Sequence, residues 1–178
     1  MEGAIALRRS AMPNHDSYSD DQIRRVLDSV RTIAMVGASP DWNRASSFAM
    51  KYLQDKGYRI IPVNPRAADR RIFGETCYRS LTDIPRAETG PVDMVDIFRR
   101  PEFVREIVDE AIAVGAKIVW MQLGIRDDDA AERAEFAGLT VIMNRCPKIE
   151  YGRLHGELSW GGFNSGIISS KRRRLERP

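Results

Sequence analysis

The chain reads as an α/β protein: a Rossmann-like, doubly wound parallel sheet of five to six strands in a three-layer α/β/α stack. Three observations predict this. Residues 33–39 run Ile-Ala-Met-Val-Gly-Ala-Ser, an apolar strand that stops on a glycine and two small residues before Pro40. A second apolar strand, Arg-Ile-Ile-Pro-Val at 59–63, follows after a helix-length gap and ends in Asn64 and Pro65. From there strand and helix patterns alternate, and several strands are apolar throughout, as strands covered on both faces are. A strand, a tight turn, a helix and a second strand form the opening of a nucleotide site, in which the turn and the helix amides face phosphate. Right-handed crossovers favour the strand order 3-2-1-4-5-6.

Each element follows from local pattern. Residues 1–17 contain Pro13, Asn14, His15 and Asp16 without a clean period and read as a flexible arm. Residues 18–158 read as the domain, and 159–178 as a surface-wrapping segment with a basic tail. Ser19 or Asp20 caps a helix over 20–30 whose one face carries Ile23, Val26, Leu27 and Val30. The first strand covers 32–36. A helix over 44–56 turns Phe48, Tyr52 and Leu53 inward, and Gly57 stops it before the strand at 59–63. Residues 64–91, rich in Pro, Gly and Arg, hold a short strand near 75–78 and a turn around 81–85. Residues 92–98 form the next strand. Pro101 suits the first turn of a helix bearing Phe103, Ile107, Val108, Ala111 and Ile112, which ends at Gly115. A strand at 117–122, a helix at 127–137 and a strand at 140–143 complete the alternation. One or two helical turns follow in 145–154 despite Pro147 and Gly152, and 156–170 is expected to wrap the surface.

The 178 residues, 43% hydrophobic and 30% charged, suit one domain with a sizeable core. No apolar run approaches the roughly 20 residues that span a bilayer, and residues 1–17 lack the apolar core of a secretory signal. Two distant cysteines, Cys77 and Cys146, and two histidines, His15 and His155, argue against structural zinc and fit a reducing cytoplasm. The net charge of +3 is concentrated in the tail, where Lys-Arg-Arg-Arg fills 171–174 and Arg177 follows. No aromatic residue interleaves those arginines, so the tail offers charge without a stacking platform. Nucleic acid is therefore not the expected partner, and the chain is expected to be a monomer or homodimer.

In such sheets ligands bind beyond the carboxyl ends of the strands. The first strand delivers Gly37, Ala38, Ser39 and Pro40, then Arg44 and Ser46; the second delivers Val63, Asn64, Pro65 and Arg66. The later ends deliver Phe98 and Arg99, then Gln122, then Arg145 and Cys146. The fingerprint is wrong for NAD. Only Gly37 stands where three glycines are required, and the second strand ends in Asn64 and Arg66 rather than the carboxylate that grips a ribose hydroxyl. Arginines at four of the five ends match a ligand with several phosphates.

Several segments resemble the small stand-alone CoA-binding domain proteins, which are in turn similar to the CoA-binding domain of the succinyl-CoA synthetase α subunit. They are Val-Gly-Ala-Ser-Pro at 36–40, Arg44 with Ser46, Ile-Pro-Val-Asn-Pro at 61–65, and Val-Asp-Ile-Phe-Arg-Arg-Pro-Glu at 95–102. Trp-Met-Gln-Leu-Gly at 120–124 and Asn-Arg-Cys-Pro-Lys-Ile-Glu at 144–150 complete the set. The resemblance covers residues 20–155 and implies coenzyme A, or an acyl-CoA, as ligand. It would lay the diphosphate over 37–40 and the helix that follows, and the adenosine with its 3′-phosphate by Asn64, Pro65 and Arg66. Phe98 and Arg99 would line the cleft, and Gln122 would face the pantetheine arm. A missing acid after the second strand agrees with this, because a carboxylate would repel the 3′-phosphate.

The synthetase keeps its phosphohistidine in a second domain, and neither His15 nor His155 has the Gly-rich setting for that role. The resemblance therefore implies a non-catalytic binding, carrier or regulatory module. Cys146 is the remaining candidate for chemistry: between Arg145 and Lys148 its thiol is expected to have a lowered pKa and to form a redox-sensitive mixed disulfide with CoA. Cys77, Asp96 and Glu150 read as structural. Two rival readings are an NADP-dependent reductase, with Arg66 on the 2′-phosphate, and a nucleic-acid-associated module acting through the tail.

Overall fold

Five consecutive buried residues, Thr-Ile-Ala-Met-Val, make β1 (Thr32–Val36) a strand covered on both faces. The computed structural model describes residues 14–156; the expectations for the first part of the arm, for the wrapping segment and for the basic tail fall on 1–13 and 157–178 and lie outside the described residues. β1 pairs in parallel with β2 (Arg59–Val63) on one side and β5 (Met94–Ile97) on the other. β6 (Ile118–Met121) and β7 (Thr140–Ile142) extend the sheet to the order β2-β1-β5-β6-β7, every neighbour parallel.

Alternation along each strand sorts side chains between two layers. Ile33, Met35, Ile60, Met94, Trp120 and Ile142 pack with α1 (Asp20–Ser29), α2 (Ala45–Asp55) and α6 (Pro147–Leu154). Ala34, Val36, Val95, Ile97, Val119 and Val141 pack with α4 (Val104–Ala113) and α5 (Asp128–Phe136). A short α3 (Arg86–Thr89) and a 3₁₀ turn (Pro101–Phe103) bracket β5. The doubly wound α/β fold is the one the sequence predicts.

The third position of the six-strand order survives only in outline. The segment after β2 forms an antiparallel hairpin, β3 (Arg71–Ile72) with β4 (Glu75–Thr76), and then touches the sheet at a single parallel bridge between Val63 and Tyr78. Asn64 N–H donates to Tyr78 O at 2.8 Å and Tyr78 N–H to Pro62 O at 3.0 Å. Pro62 lacks an N–H to donate outward, and Pro65 cannot extend the ladder, so the strand stops there.

Two expectations are corrected. Phe48 is not an inner residue of α2: it is 53% exposed, while Ser46, Ser47, Ala49, Met50 and Leu53 face the sheet. Phe48 lies about 200° around the helix from Met50, and the small residues beside it let α2 settle closely on the strands. Residues 14–17 are also not loose. The Tyr18 hydroxyl accepts from Met143 N at 2.8 Å and pairs with His15 Nδ1 at 2.8 Å, and His15 Nε2 lies 3.2 Å from Glu135, tying this segment to the end of β7 and to α5.

At the amino edge of the sheet Asp93 clamps three strands. Its Oδ2 accepts from the amides of Arg31 and Thr32 at 2.9 and 3.1 Å, and its Oδ1 from Lys117 Nζ at 2.8 Å. Burial alone would push the carboxyl up, but Lys117 and the two amides together hold it below its ordinary value. Stability from this group is therefore full above the ordinary carboxylate pKa and is lost as pH falls through the depressed one. Asp93→Ala should destabilise the fold by about 2 kcal/mol or more at neutral pH, since it leaves buried amides unpaired. Thermal melts taken toward acid should show the gap between wild type and variant closing.

Candidate functional site

The switch point of the sheet lies between β1 and β5, where the chain first builds toward β2 and then returns to build toward β7. Gly37 occupies it. Its N–H donates to Val63 O at 2.8 Å, its φ is +91°, and a Cβ placed there would meet Phe98 O at 2.6 Å and Arg99 Cδ at 3.0 Å. Glycine is required twice over, for the dihedral and for the approach. Phe98 N–H closes the contact from the other side on Val36 O at 2.8 Å.

Side chains then brace the loops. Asn64 Nδ2 donates to Ala38 O at 2.7 Å, while its Oδ1 accepts from Arg66 N at 3.0 Å, so one amide ties the ends of β1 and β2 and shapes the turn that carries Arg66. Ser47 Oγ reaches Ser39 O and Asp41 O at 2.8 and 2.6 Å and pins the turn to α2. Arg99 crosses the Gly37 turn and stacks its guanidinium over Phe103 at 4.6 Å. Ends of three strands, with Gly37, Ala38, Ser39, Val63, Asn64, Phe98 and Arg99, are thus one connected surface.

α2 starts at that surface without a capping side chain or an acid in its first turn, whereas Ser19 caps α1 and Asp127 caps α5. Its leading amides and dipole are left for an anion. Pro40 and Arg66 are exposed on the rim. Arg44 is turned outward and lies 3.8 Å from Asp41. Ser46 is buried, so it offers a ligand its amide rather than its hydroxyl. A surface cavity of about 300 Å³ that includes Val30, Tyr58, Tyr151 and His155 opens at the opposite, amino end of the sheet, away from these loops.

Beyond β6, Gln122 turns back into the protein. Its Nε2 donates to Asp96 Oδ1 at 2.7 Å, and both residues are buried. Asp96 is fully buried within β5, and its Oδ2 has no hydrogen-bond partner. Burial pushes this carboxyl up to about 7, opposed only by the Gln122 bond. Cys146 precedes α6 on the same side of the sheet. The expected lowering of its thiol pKa is overturned: burial pushes it up and the charge of Asp96 adds to the rise, outweighing the Ile149 and Lys148 amides at the start of α6 and the Lys148 charge. Arg145, expected to assist, is 3.8 Å from Glu150, which also pairs with Arg153 at 2.7 Å.

Sequence reasoning set Asp96 aside as structural. The signal was a carboxylate inside an otherwise apolar strand, which only a buried partner or a function explains. The sequence places Ser47 and Asn144 at strand ends without giving either a role; Asn144 takes φ +53° and accepts from Gly124 N at 2.8 Å, bracing the loops after β6 and β7.

The CoA binding domain family matches residues 31–152. The chain is 35% identical over 133 residues to the protein YneT of Bacillus subtilis (strain 168), covering 75% of this chain and 94% of that one. A solved structure of a protein from Pyrococcus horikoshii OT3 is 39% identical with a TM-score of 0.73, covering 82% of this chain and 98% of its own. Acetate–CoA ligase [ADP-forming] I of Archaeoglobus fulgidus is 25% identical over 153 residues, and this chain spans only 21% of its length. The family match favours neither the reductase nor the nucleic-acid reading, and no helix among the described residues is long and apolar enough to cross a membrane.

The approach at Gly37 can be tested directly. Gly37→Ala should destabilise the fold by about 1–3 kcal/mol from backbone strain and displacement of Phe98. Chemical denaturation would measure it, and an unchanged midpoint would show that the β1–β5 edge has room to spare.

Proposed function

The chain belongs to the CoA-binding domain family, and on that premise we propose that it binds coenzyme A or an acyl-CoA at the carboxyl ends of β1, β2, β5 and β6. It acts as a binding, carrier or regulatory module rather than as a ligase. The observation that carries this reading is the uncapped start of α2 beside a glycine turn that only glycine can make, with Arg66 and Arg99 on either side. Amides, dipole and guanidinium groups suit a ligand with phosphates at more than one place.

The residues fit the parts of CoA. The turn Gly37, Ala38, Ser39 and Pro40 with the first amides of α2, including that of Ser46, would take the diphosphate. Arg66 with Pro65 would take the adenosine 3′-phosphate, with Asn64 shaping that turn and Val63 lying beneath it. Arg44 would need to leave Asp41 to help. Phe98 and Arg99 would wall the cleft, and Gln122 and Cys146 would lie toward the pantetheine end. There Cys146 would form a mixed disulfide with CoA, its thiolate attacking CoA disulfide and one CoA thiolate leaving, and a reductant would reverse the bond.

Calorimetric titration tests the assignment. CoA should bind more tightly than NAD+, NADP+ or ATP, and tighter binding of NADP+ would overturn it. Arg66→Ala should weaken CoA by about 1.5–3 kcal/mol, the scale of a charge-assisted hydrogen bond, and should weaken dephospho-CoA less. Equal losses for both ligands would remove Arg66 from the 3′-phosphate.

A further inference from the structure

Most arginines near the strand ends are already engaged by an acid. Arg44 lies 3.8 Å from Asp41, Arg100 lies 3.0 Å from Glu102, and Arg145 lies 3.8 Å from Glu150. Arg99 is held differently. Among the described residues no carboxylate comes within ion-pair distance of it, and its guanidinium carbon lies 4.6 Å from the centre of the Phe103 ring. Its stem rests on the glycine turn, because a Cβ at Gly37 would meet Arg99 Cδ at 3.0 Å. The guanidinium carbon is two bonds beyond that Cδ. Stem and ring together therefore keep the charge beside Gly37 while the side chain remains half-buried.

Phe103 is itself fixed. It closes the 3₁₀ turn Pro101–Phe103, its N–H donates to Arg100 O at 3.0 Å, and its side chain packs on the apolar layer shared by β5 and α4. At the other end of this short segment Phe98 N–H is fastened to Val36 O. The same ring lies 5.6 Å from the Arg100 guanidinium, but Glu102 occupies that one. The difference matters chemically. A carboxylate that held Arg99 would take up its charge and its N–H donors. A ring face holds the cation through its quadrupole and leaves those donors for something else.

We propose that Phe103 is the positioning residue of an anion clamp: its ring holds the Arg99 guanidinium against the Gly37 turn, where that guanidinium grips a diphosphate from the β5 side. The clamp deepens the CoA reading and rests on it only for the identity of the ligand that carries the diphosphate. Two linked phosphoryl groups present oxygens in more than one direction. The first amides of α2 take one set and the Arg99 fork takes the other, through charge-assisted hydrogen bonds. A single phosphate cannot meet both sides equally well. Because Arg99 is placed before the ligand arrives, the rotamer freedom that a solvated arginine loses on binding is already spent. Gly37 serves the clamp as well as the turn, since any side chain there would push the Arg99 stem away.

Calorimetric titration with CoA, dephospho-CoA, 4′-phosphopantetheine and inorganic pyrophosphate tests the clamp. Arg99→Met keeps the stem on Gly37 and removes the charge. It should weaken CoA and dephospho-CoA alike, by about 10- to 100-fold, and pyrophosphate with them, while 4′-phosphopantetheine loses less. Added salt should weaken the wild type more than Arg99→Met. Phe103→Leu keeps an apolar side chain without a π face and should weaken CoA by about threefold to tenfold; Phe103→Tyr should restore the wild-type affinity. On the Arg99→Met background Phe103→Leu should cost nothing more, because the ring acts only through the arginine. A Phe103 that merely supports the fold would give additive losses instead. Thermal melts of each variant separate lost folding from lost binding.

Undiminished CoA affinity in Arg99→Met overturns the proposal, as do additive losses in the double variant or an equal loss for 4′-phosphopantetheine. If pyrophosphate follows Arg99 and Phe103 as expected and CoA does not bind, the clamp stands and the CoA reading falls. If CoA binds and neither substitution weakens it, the CoA reading stands and the clamp falls. Failure of the wild type to bind either ligand removes both.

Discussion

The backbone of Gly37 lies so close to Phe98 that a Cβ would come within 2.6 Å of its carbonyl oxygen. The rest of the molecule is arranged around that approach. It lets β1 and β5 run side by side to their carboxyl ends, with Gly37 N–H on Val63 and Phe98 N–H on Val36. The three loops that leave those strands therefore begin within one small area. Small residues follow the glycine: Ala38 is buried, and Ser47 anchors the turn through two carbonyls. A larger side chain at any of these positions would separate the loops and the start of α2, and the surface at the strand ends would lose its continuity.

The two edges of the sheet are treated oppositely. At the amino edge Asp93 ties β1, β5 and β6 together with every oxygen engaged. Near the carboxyl edge Asp96, three residues further along the chain and inside β5, is left half satisfied. One carboxyl immediately precedes β5 and the other lies within it, yet the partners of Asp93 hold its pKa down and the apolar surroundings of Asp96 push it up. This division of labour is common where a rigid scaffold presents a site at one end only.

Burial also reverses the simple reading of Cys146. Flanking Arg145 and Lys148 predict an activated thiol, but Arg145 is drawn toward Glu150, and burial together with the charge of Asp96 pushes the thiol pKa up.

The sequence by itself determined the α/β alternation, the bounds of β1 and β2 to the residue, and the strand ends as the place to look, because apolar runs and a glycine stop are local signals. It also determined that the turn is not an NAD turn, since one glycine and Arg66 stand where three glycines and an acid are needed. Tertiary structure alone decided that Phe48 faces outward, that His15 and Tyr18 tie the start of the described chain to α5 and to Met143 just after β7, and that the third strand shrinks to one bridge at Tyr78. It alone decided that the Asn64 amide ties the ends of β1 and β2, that the Ser46 side chain is buried, and that Asp96 meets Gln122. Those outcomes depend on which of several competing faces is covered and on residues far apart in the chain, here 26 positions for Asp96 and Gln122, becoming neighbours. Period and composition report neither, because a pKa and an unpaired oxygen are properties of what packs around a residue.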